Sequence, residues 1–397
     1  MGKLSGNEVS ICIEVTKEQP VVKLRELRRT YGFDEVAISP GTVTINPELT
    51  NTDFSVGPLT ISTPVLGSAM DAVASPGFAG TMHRQGALSV INLEGVQSRY
   101  DCPQDAIDEI VRADENTVTT TLQRIYTTPI KDNLVGERVE QIKQTGSICA
   151  VSVTPMMTKE LAPIAVEAGA DLIVVQSTVT TARHTSSSAK GLRFPELLEI
   201  INVPIFVGNC VSYDVALEIM ETGIHGVLVG VGPGAACTTR EVTGVGIPQV
   251  TATMDCAAAR DEYFSRSGRY VPIVTDGGIR TGGELCKSFA SGADAVMIGT
   301  PLAQSIESPA KGYNWGMASP HAALPRGTRV RVGVRGSLNQ ILFGPTSLTD
   351  GTQNLMGALR VCMGMVGASN IKEMHNSELV VAPSIKTEGK YYQLGLG

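Results

Sequence analysis

Aromatic residues are scarce in this sequence. Of 397 residues one is tryptophan, and Phe, Trp and Tyr together make up 5%. That argues against the aromatic platforms on which nucleic-acid binders stack bases. An excess of positive charge is missing too. The 32 Lys and Arg against 39 Asp and Glu leave a formal net charge of −7, so neither nucleic acid nor an anionic membrane surface meets a basic footprint. No apolar run approaches the length of a bilayer span. The N-terminal stretch MGKLSGNEVSICIEVTKEQP carries charges where a signal peptide needs an apolar core. Cysteines number eight, at positions 12, 102, 149, 210, 237, 256, 286 and 362. None forms a CxxC pair or a Cys/His cluster at zinc spacing, which points to a reducing, cytoplasmic setting and most thiols acting as small core residues. A G-x-G-x-x-G turn after the first strand, with its acidic residue further on, is also absent, which argues against a doubly wound open sheet.

Short apolar runs and glycines are abundant. Eight runs recur in series: PVLGSA (64–69), ALSVIN (87–92), ICAVSV (148–153), DLIVVQ (171–176), PIFVGN (204–209), GVLVG (226–230), PIVTDG (272–277) and AVMIG (295–299). Each is apolar throughout, as a strand buried on both faces of a parallel sheet must be. Between them lie helical stretches such as 158–170, 212–224 and 282–293, each stopped by glycine before the next strand. Eight alternations predict an α/β protein with a (β/α)₈ TIM barrel, an N-terminal extension and a flap on the C-terminal face. The expected organisation is an arm over 1–30, one catalytic barrel over 31–385 with a flap at 301–326, and a tail over 386–397. Leu24–Tyr31 is expected to start a helix, 42–61 to be irregular or antiparallel β capping something, and 93–148 to hold one or two helices. The stretch TRVRVGVRGSLNQILFG predicts a hairpin, and Gln353–Met365 a final helix.

Polar residues and glycines follow most of the strand ends: Ser68–Asp71, Gln176–Ser177, Gly208–Asn209, Gly230–Thr239, Asp276–Gly278 and Gly299–Thr300. In a barrel these converge on the one face where active sites are built. The richest is GVLVGVGPGAACTTREVTGVGIPQ (226–249). There Gly230, Gly232 and Gly234 allow a tight turn and expose backbone N–H and C=O groups to a ligand. Cys237 sits at the crest, ahead of Thr238 and Thr239. A thiol near amide groups and a helix start is favoured as thiolate, so Cys237 reads either as a nucleophile or as one more buried cysteine. The glycines of DGGIRTGGE (276–284) and IGTPLAQS (298–305) follow the seventh and eighth strands, the usual phosphate position of such barrels. Asp276 beside them suits a ribose diol. The expected substrate is a nucleoside monophosphate or sugar phosphate.

These stretches, together with GSAMDAV (67–73), WGMAS (315–319) and YGFDEVAISPG near the start, resemble the IMP dehydrogenase/GMP reductase family over about residues 31–372. The absence of paired CBS domains is similar to the bacterial IMP dehydrogenase-related branch. The resemblance implies a barrel, usually tetrameric, that oxidises IMP to XMP with NAD⁺ through a thioimidate on Cys237, with K⁺ held by the carbonyls of Gly232, Gly234 and Cys237. It places Thr239 near the purine and the attacking water, Asp276 on the ribose, and Gly277, Gly278, Gly299 and Thr300 on the phosphate. Ser68, Met70, Asn209, Gly316 and Met317 fall in the substrate site, and Tyr313 lies one place from the family's phosphate tyrosine. Gln176, Ser177, Gly230 and Gly232 fall on the cofactor side.

Three departures stand out. Ala235 replaces a phosphate-binding serine. Gln176 replaces the aspartate that grips the nicotinamide ribose. The shortened flap 309–326 lacks the Arg-Tyr pair that activates water, which leaves His321 or Arg326 as the expected base. Two other functions stay open: reduction of GMP to IMP with NADPH, and purine-nucleotide binding for regulation without turnover.

Overall fold

The computed structural model describes residues 27–185, 191–316 and 328–382. All eight apolar runs form strands: β1 (Val65–Gly67), β2 (Leu88–Asn92), β3 (Ala150–Val153), β4 (Leu172–Gln176), β5 (Ile205–Cys210), β6 (Gly226–Val229), β7 (Ile273–Asp276) and β8 (Ala295–Ile298). They pair in parallel in sequence order and close, with β8 against β1 and β6 against β7. The (β/α)₈ barrel is therefore the fold.

The two-residue period of a strand sorts each run into an inner and an outer set. Leu66, Val90, Leu172, Val174, Phe206 and Leu228 fill the barrel interior. Ile91, Val151, Ile173, Val175, Val207 and Val227 face out, into the layer of helices. The N-terminal mouth is plugged by an antiparallel hairpin, Phe54–Val56 with Leu59–Ile61, whose Phe54, Val56 and Ile61 join the interior cluster. Phe54 meets Phe206 edge to face with ring centres 6.4 Å apart. The 42–61 segment thus caps the barrel, as its composition suggests.

Three expectations are corrected. No helix starts before Tyr31 among the described residues. Arg28 forms a bidentate ion pair with Asp255 at 2.7 Å, and the amide of Tyr31 donates to Thr251 Oγ1. These bonds strap the segment along the helix Gln249–Ser267. That 19-residue helix is itself unmarked in the sequence reading, because Ala, Thr and Cys on its buried face blur the apolar period. The β2–β3 connection holds three helices, Pro103–Arg112, Val118–Thr127 and Asp132–Gln144. The middle one, VTTTLQRIYT, is masked by β-branched residues of low helix propensity. Finally, Arg329–Arg331 finds its antiparallel partner in Tyr313–Trp315, across the flap, and 338–343 is helical with Ser337 as its N-cap. The last long helix is Leu355–Val366. Residues 1–26 of the expected arm and the tail 386–397 lie outside the described residues.

Candidate active site

Where the interior rows run past the core at the C-terminal mouth, polar residues and glycines take over in the same phase. Ser68 follows Leu66, Asn92 follows Val90, Ser152 follows Ala150, Gln176 follows Val174, and Asp276 follows Val274. Gly230 and Gly299 continue Leu228 and Met297. On β5 a bulge between Gly208 and Cys210 shifts the register and turns Asn209 inward. Together they floor a cavity of about 760 Å³.

The cysteine turn forms one wall. Gly230 and Gly232 have positive φ (147° and 72°), and a Cβ on Gly230 would fall 2.3 Å from the carbonyl oxygen of Asp276. Behind the turn, Arg240 donates from Nε to the Val231 carbonyl (3.0 Å) and from Nη2 to that of Ile247 (2.7 Å). Gln249 Nε2 holds the Val229 carbonyl at 2.6 Å. The Cys237 amide closes onto the Gly234 carbonyl at 3.0 Å. The thiol is half-buried, donates to Thr239 Oγ1 at 3.2 Å, and precedes the five-residue helix Thr239–Thr243. The other described thiols are differently placed. Burial pushes Cys149 up to about 12, and Cys210 and Cys256 face each other, buried, at 4.0 Å. Among the described cysteines Cys237 alone lines the cavity.

Asp276 lies on the floor, enclosed by protein except towards the cavity. One oxygen, Oδ2, accepts from both Asn209 Nδ2 (2.8 Å) and Gln176 Nε2 (2.9 Å), while Gln176 also donates to Asn209 Oδ1. Burial raises this carboxyl, the two amide bonds oppose the rise, and the balance stands at about 6. Gln176 therefore acts as a donor clamp that fixes one face of the Asp276 carboxylate.

Next to Asp276, Gly277 and Gly278 both adopt left-handed φ (87° and 78°) and pack under Pro233 of the cysteine turn. The helix Gly282–Ala290 that follows is already capped. Thr281 accepts from the Glu284 amide, and Glu284 Oε2 takes the amides of Arg280 and Thr281. The amides at that helix start are thus already satisfied, and the backbone that faces the cavity here is that of the turns Gly277–Gly278 and Gly299–Thr300. Asn314 stands beside Gly299, buried, lines the cavity, and its Oδ1 has no partner among the described residues.

The predicted residues Ser68, Met70, Gln176, Ser177, Asn209, Gly230, Gly232, Gly234, Cys237, Thr239, Asp276, Gly277, Gly278, Gly299, Thr300 and Gly316 all line this one cavity. Tyr313 does not. It sits on the neighbouring apolar cluster with Arg329 stacked over its ring at 5.1 Å, because strand alternation sends Asn314 inward in its place. Met317, His321 and Arg326 lie outside the described residues. The sequence reading passed over the opposite wall: Asn92, Glu94, Arg99, Ser152 and Thr154, with Gln123, Tyr126 and Thr127 from the overlooked helix. The interior phase of β2 and β3 contains the signal for the first of these, since Glu94 and Thr154 lie four residues beyond Val90 and Ala150.

A cysteine-bearing turn after β6 and glycine turns after β7 and β8, gathered around one cavity at the C-terminal mouth, form the kind of site on which barrel enzymes work. Comparison places it more closely. The family model for the IMP dehydrogenase / GMP reductase domain matches residues 30–389, and the chain belongs to that family of oxidoreductases. It is 37% identical over 367 residues to an uncharacterized oxidoreductase of Mycobacterium leprae, covering 90% of this chain and 98% of the relative. Inosine-5'-monophosphate dehydrogenase of Cryptosporidium parvum is 28% identical over 386 residues, covering 88% and 91%. A crystal structure of an IMP dehydrogenase/GMP reductase-like protein from Corynebacterium glutamicum superposes with a TM-score of 0.85 at 35% identity, covering 90% of this chain and 96% of that one.

Proposed function

We propose that the protein oxidises IMP to XMP with NAD⁺ through a covalent adduct on Cys237. The observation that carries this is the placement of Cys237 as the one described thiol on a cavity that also holds a ribose-type carboxylate and two glycine anion turns. The 5'-phosphate is assigned to Gly277–Gly278 and Gly299–Thr300, and the ribose to Asp276, whose Oδ1 remains for the diol while Oδ2 is clamped. Ala235 offers no hydroxyl, so the phosphate rests on backbone amides. Ser68, Met70, Asn209 and Gly316 complete the pocket for the base.

With the nucleotide so fixed, Cys237 Sγ bonds to C2 of the hypoxanthine as the C2=N3 π pair moves to N3, which takes up the thiol proton with the aid of Thr239, 3.2 Å from the sulfur, and C2 becomes tetrahedral. NAD⁺, when bound, supplies the acceptor for the hydride that C2 then releases. Gln176, Ser177, Gly230 and Gly232 border the space it would occupy. Water then attacks C2 of the thioimidate and Cys237 leaves as thiolate. His321 and Arg326 remain the proposed groups that take the proton from that water. The carbonyls of Gly232, Gly234 and Cys237 are proposed to hold K⁺, the Gly234 carbonyl already being turned to the Cys237 amide. A homotetramer in the cytoplasm is part of the same proposal. No helix among the described residues is long and apolar enough to cross a membrane.

The experiment is a three-way assay on purified protein. IMP with NAD⁺ and K⁺ is expected to yield NADH, the Cys237→Ala variant to lose that signal by at least a thousandfold, and removal of K⁺ to slow it. NADPH consumption with GMP, and no NADH with IMP, would replace the dehydrogenase with the reductase. Tight IMP binding with neither signal would leave a regulatory binding protein.

A further inference from the structure

Two carboxylates line the cavity among the described residues, Asp276 at β7 and Glu94 just beyond β2. Glu94 is held as firmly as Asp276. Its Oε1 accepts from the amide of Thr154 (2.8 Å) and from Thr154 Oγ1 (2.7 Å), and its own amide donates to Asn92 Oδ1 at 2.9 Å. Arg99 pins the Glu94 carbonyl through Nε at 3.0 Å and ties Nη1 to the Thr128 carbonyl. One carboxylate oxygen is thus committed to the scaffold and Oε2 remains for a ligand. This is the same division of labour as at Asp276.

Position says which ligand. In the closed order of eight strands β2 stands four strands from β6, directly across the mouth from Cys237. A hydride acceptor must place its reacting ring within bonding reach of the carbon that Cys237 engages. Its remote half then extends across the mouth, away from the substrate phosphate turns at β7 and β8, towards β2 and β3. We propose that Glu94 receives the ribose diol of the adenosine half of the dinucleotide and makes the enzyme select NAD⁺ over NADP⁺. A carboxylate accepts a free 2'-hydroxyl, whereas a 2'-phosphate in the same place would bring two anions together. The Arg99 guanidinium also lines the cavity, but Nε and Nη1 anchor it to two backbone carbonyls and its charge faces the carboxylates of Asp71 and Glu94.

This inference rests on the dehydrogenase proposal, and its test separates the two. With IMP present, binding of ADP-ribose and of 2'-phospho-ADP-ribose is measured by calorimetry, alongside KM and kcat with NAD⁺ and NADP⁺. Wild type is expected to favour the unphosphorylated member of each pair by at least tenfold. Glu94→Gln keeps the Thr154 bonds within reach and is expected to weaken ADP-ribose and raise KM for NAD⁺ about tenfold, more than it changes kcat, while discrimination falls. Thr154→Val, which removes the hydroxyl bond to Oε1 and leaves the amide bond, is expected to weaken binding in the same direction by a smaller factor, with melting curves checking that both variants fold. Preference for the 2'-phosphate in wild type, or an unchanged ratio in Glu94→Gln, would overturn the assignment. Absence of turnover with intact ADP-ribose selectivity would count against the dehydrogenase and leave the Glu94 site standing.

Discussion

Asp276 carries two demands that pull against each other. As a buried carboxylate it is costly, and burial raises it from 3.8 to about 6. In the proposed role of ribose acceptor it must be present and oriented, and Gln176 and Asn209 fix its Oδ2. Asp276→Asn is therefore expected to stabilise the ligand-free protein at pH 7 by up to about 3 kcal/mol and to weaken IMP binding at least tenfold. Thermal melts with and without IMP read both effects. An Asn variant less stable than wild type would show that the carboxylate is better compensated than its surroundings imply. Gln176 was legible as a polar strand end and as a departure from a family pattern; its role as an amide donor to Asp276 emerges when β4, β5 and β7 are closed into one floor. Cys237 was marked by its glycines, but its standing among eight thiols depends on which of them reach the cavity, a property of packing that no local pattern encodes.

At the scale of the element, the cysteine turn is a strand end held from behind by Arg240 and Gln249. Gly232 and Gly246 leave room for Arg240, whose Cγ and Nε would lie 2.7 and 2.6 Å from a Cβ at those positions. Arg240→Ala frees the Val231 and Ile247 carbonyls together. It is expected to cost about 1.5–3 kcal/mol and to lower kcat at least tenfold, with Arg240→Lys only partly restoring it because one ammonium lacks the guanidinium fork. Stopped-flow rates of NADH formation would check this; wild-type kcat in Arg240→Ala would show that the turn holds its shape unaided. The eight strands were legible because each is buried on both faces and reads as an apolar run. The helices Val118–Thr127 and Gln249–Ser267 were not, since Thr, Ala and Cys satisfy their packing without an apolar stripe. Part of the opposite wall was hidden with the first of them, because Gln123, Tyr126 and Thr127 enter the cavity from it.

For the whole molecule, two buried carboxyls act in the same direction. Burial raises Asp71 to about 6, against the pull of the Tyr126 hydroxyl at 2.7 Å and the Val96 amide at 2.9 Å, and Tyr126 in turn accepts from Trp315 Nε1 at 2.8 Å. The chain Trp315–Tyr126–Asp71 joins the strand that enters the flap to the loop after β1. Both Asp71 and Asp276 have folded values above 3.8. Their contribution to stability is fully present below 3.8 and is lost as pH rises to about 6, since the unfolded chain ionises there while the folded one holds its protons. Urea melts of Asp71→Asn and Asp276→Asn are expected to fall less steeply than wild type between pH 4 and pH 6.5; parallel curves would place the titration elsewhere.

The central claim is that Cys237 becomes covalently bonded to the purine during turnover. Acid quenching of the protein mixed with IMP and NAD⁺, followed by mass spectrometry of the peptide that carries Cys237, tests it directly. The account predicts a nucleotide adduct on that peptide which is absent without NAD⁺ and absent in Cys237→Ala. Steady NADH production with an unmodified Cys237 peptide at every quench time, or an adduct on another cysteine, would contradict it.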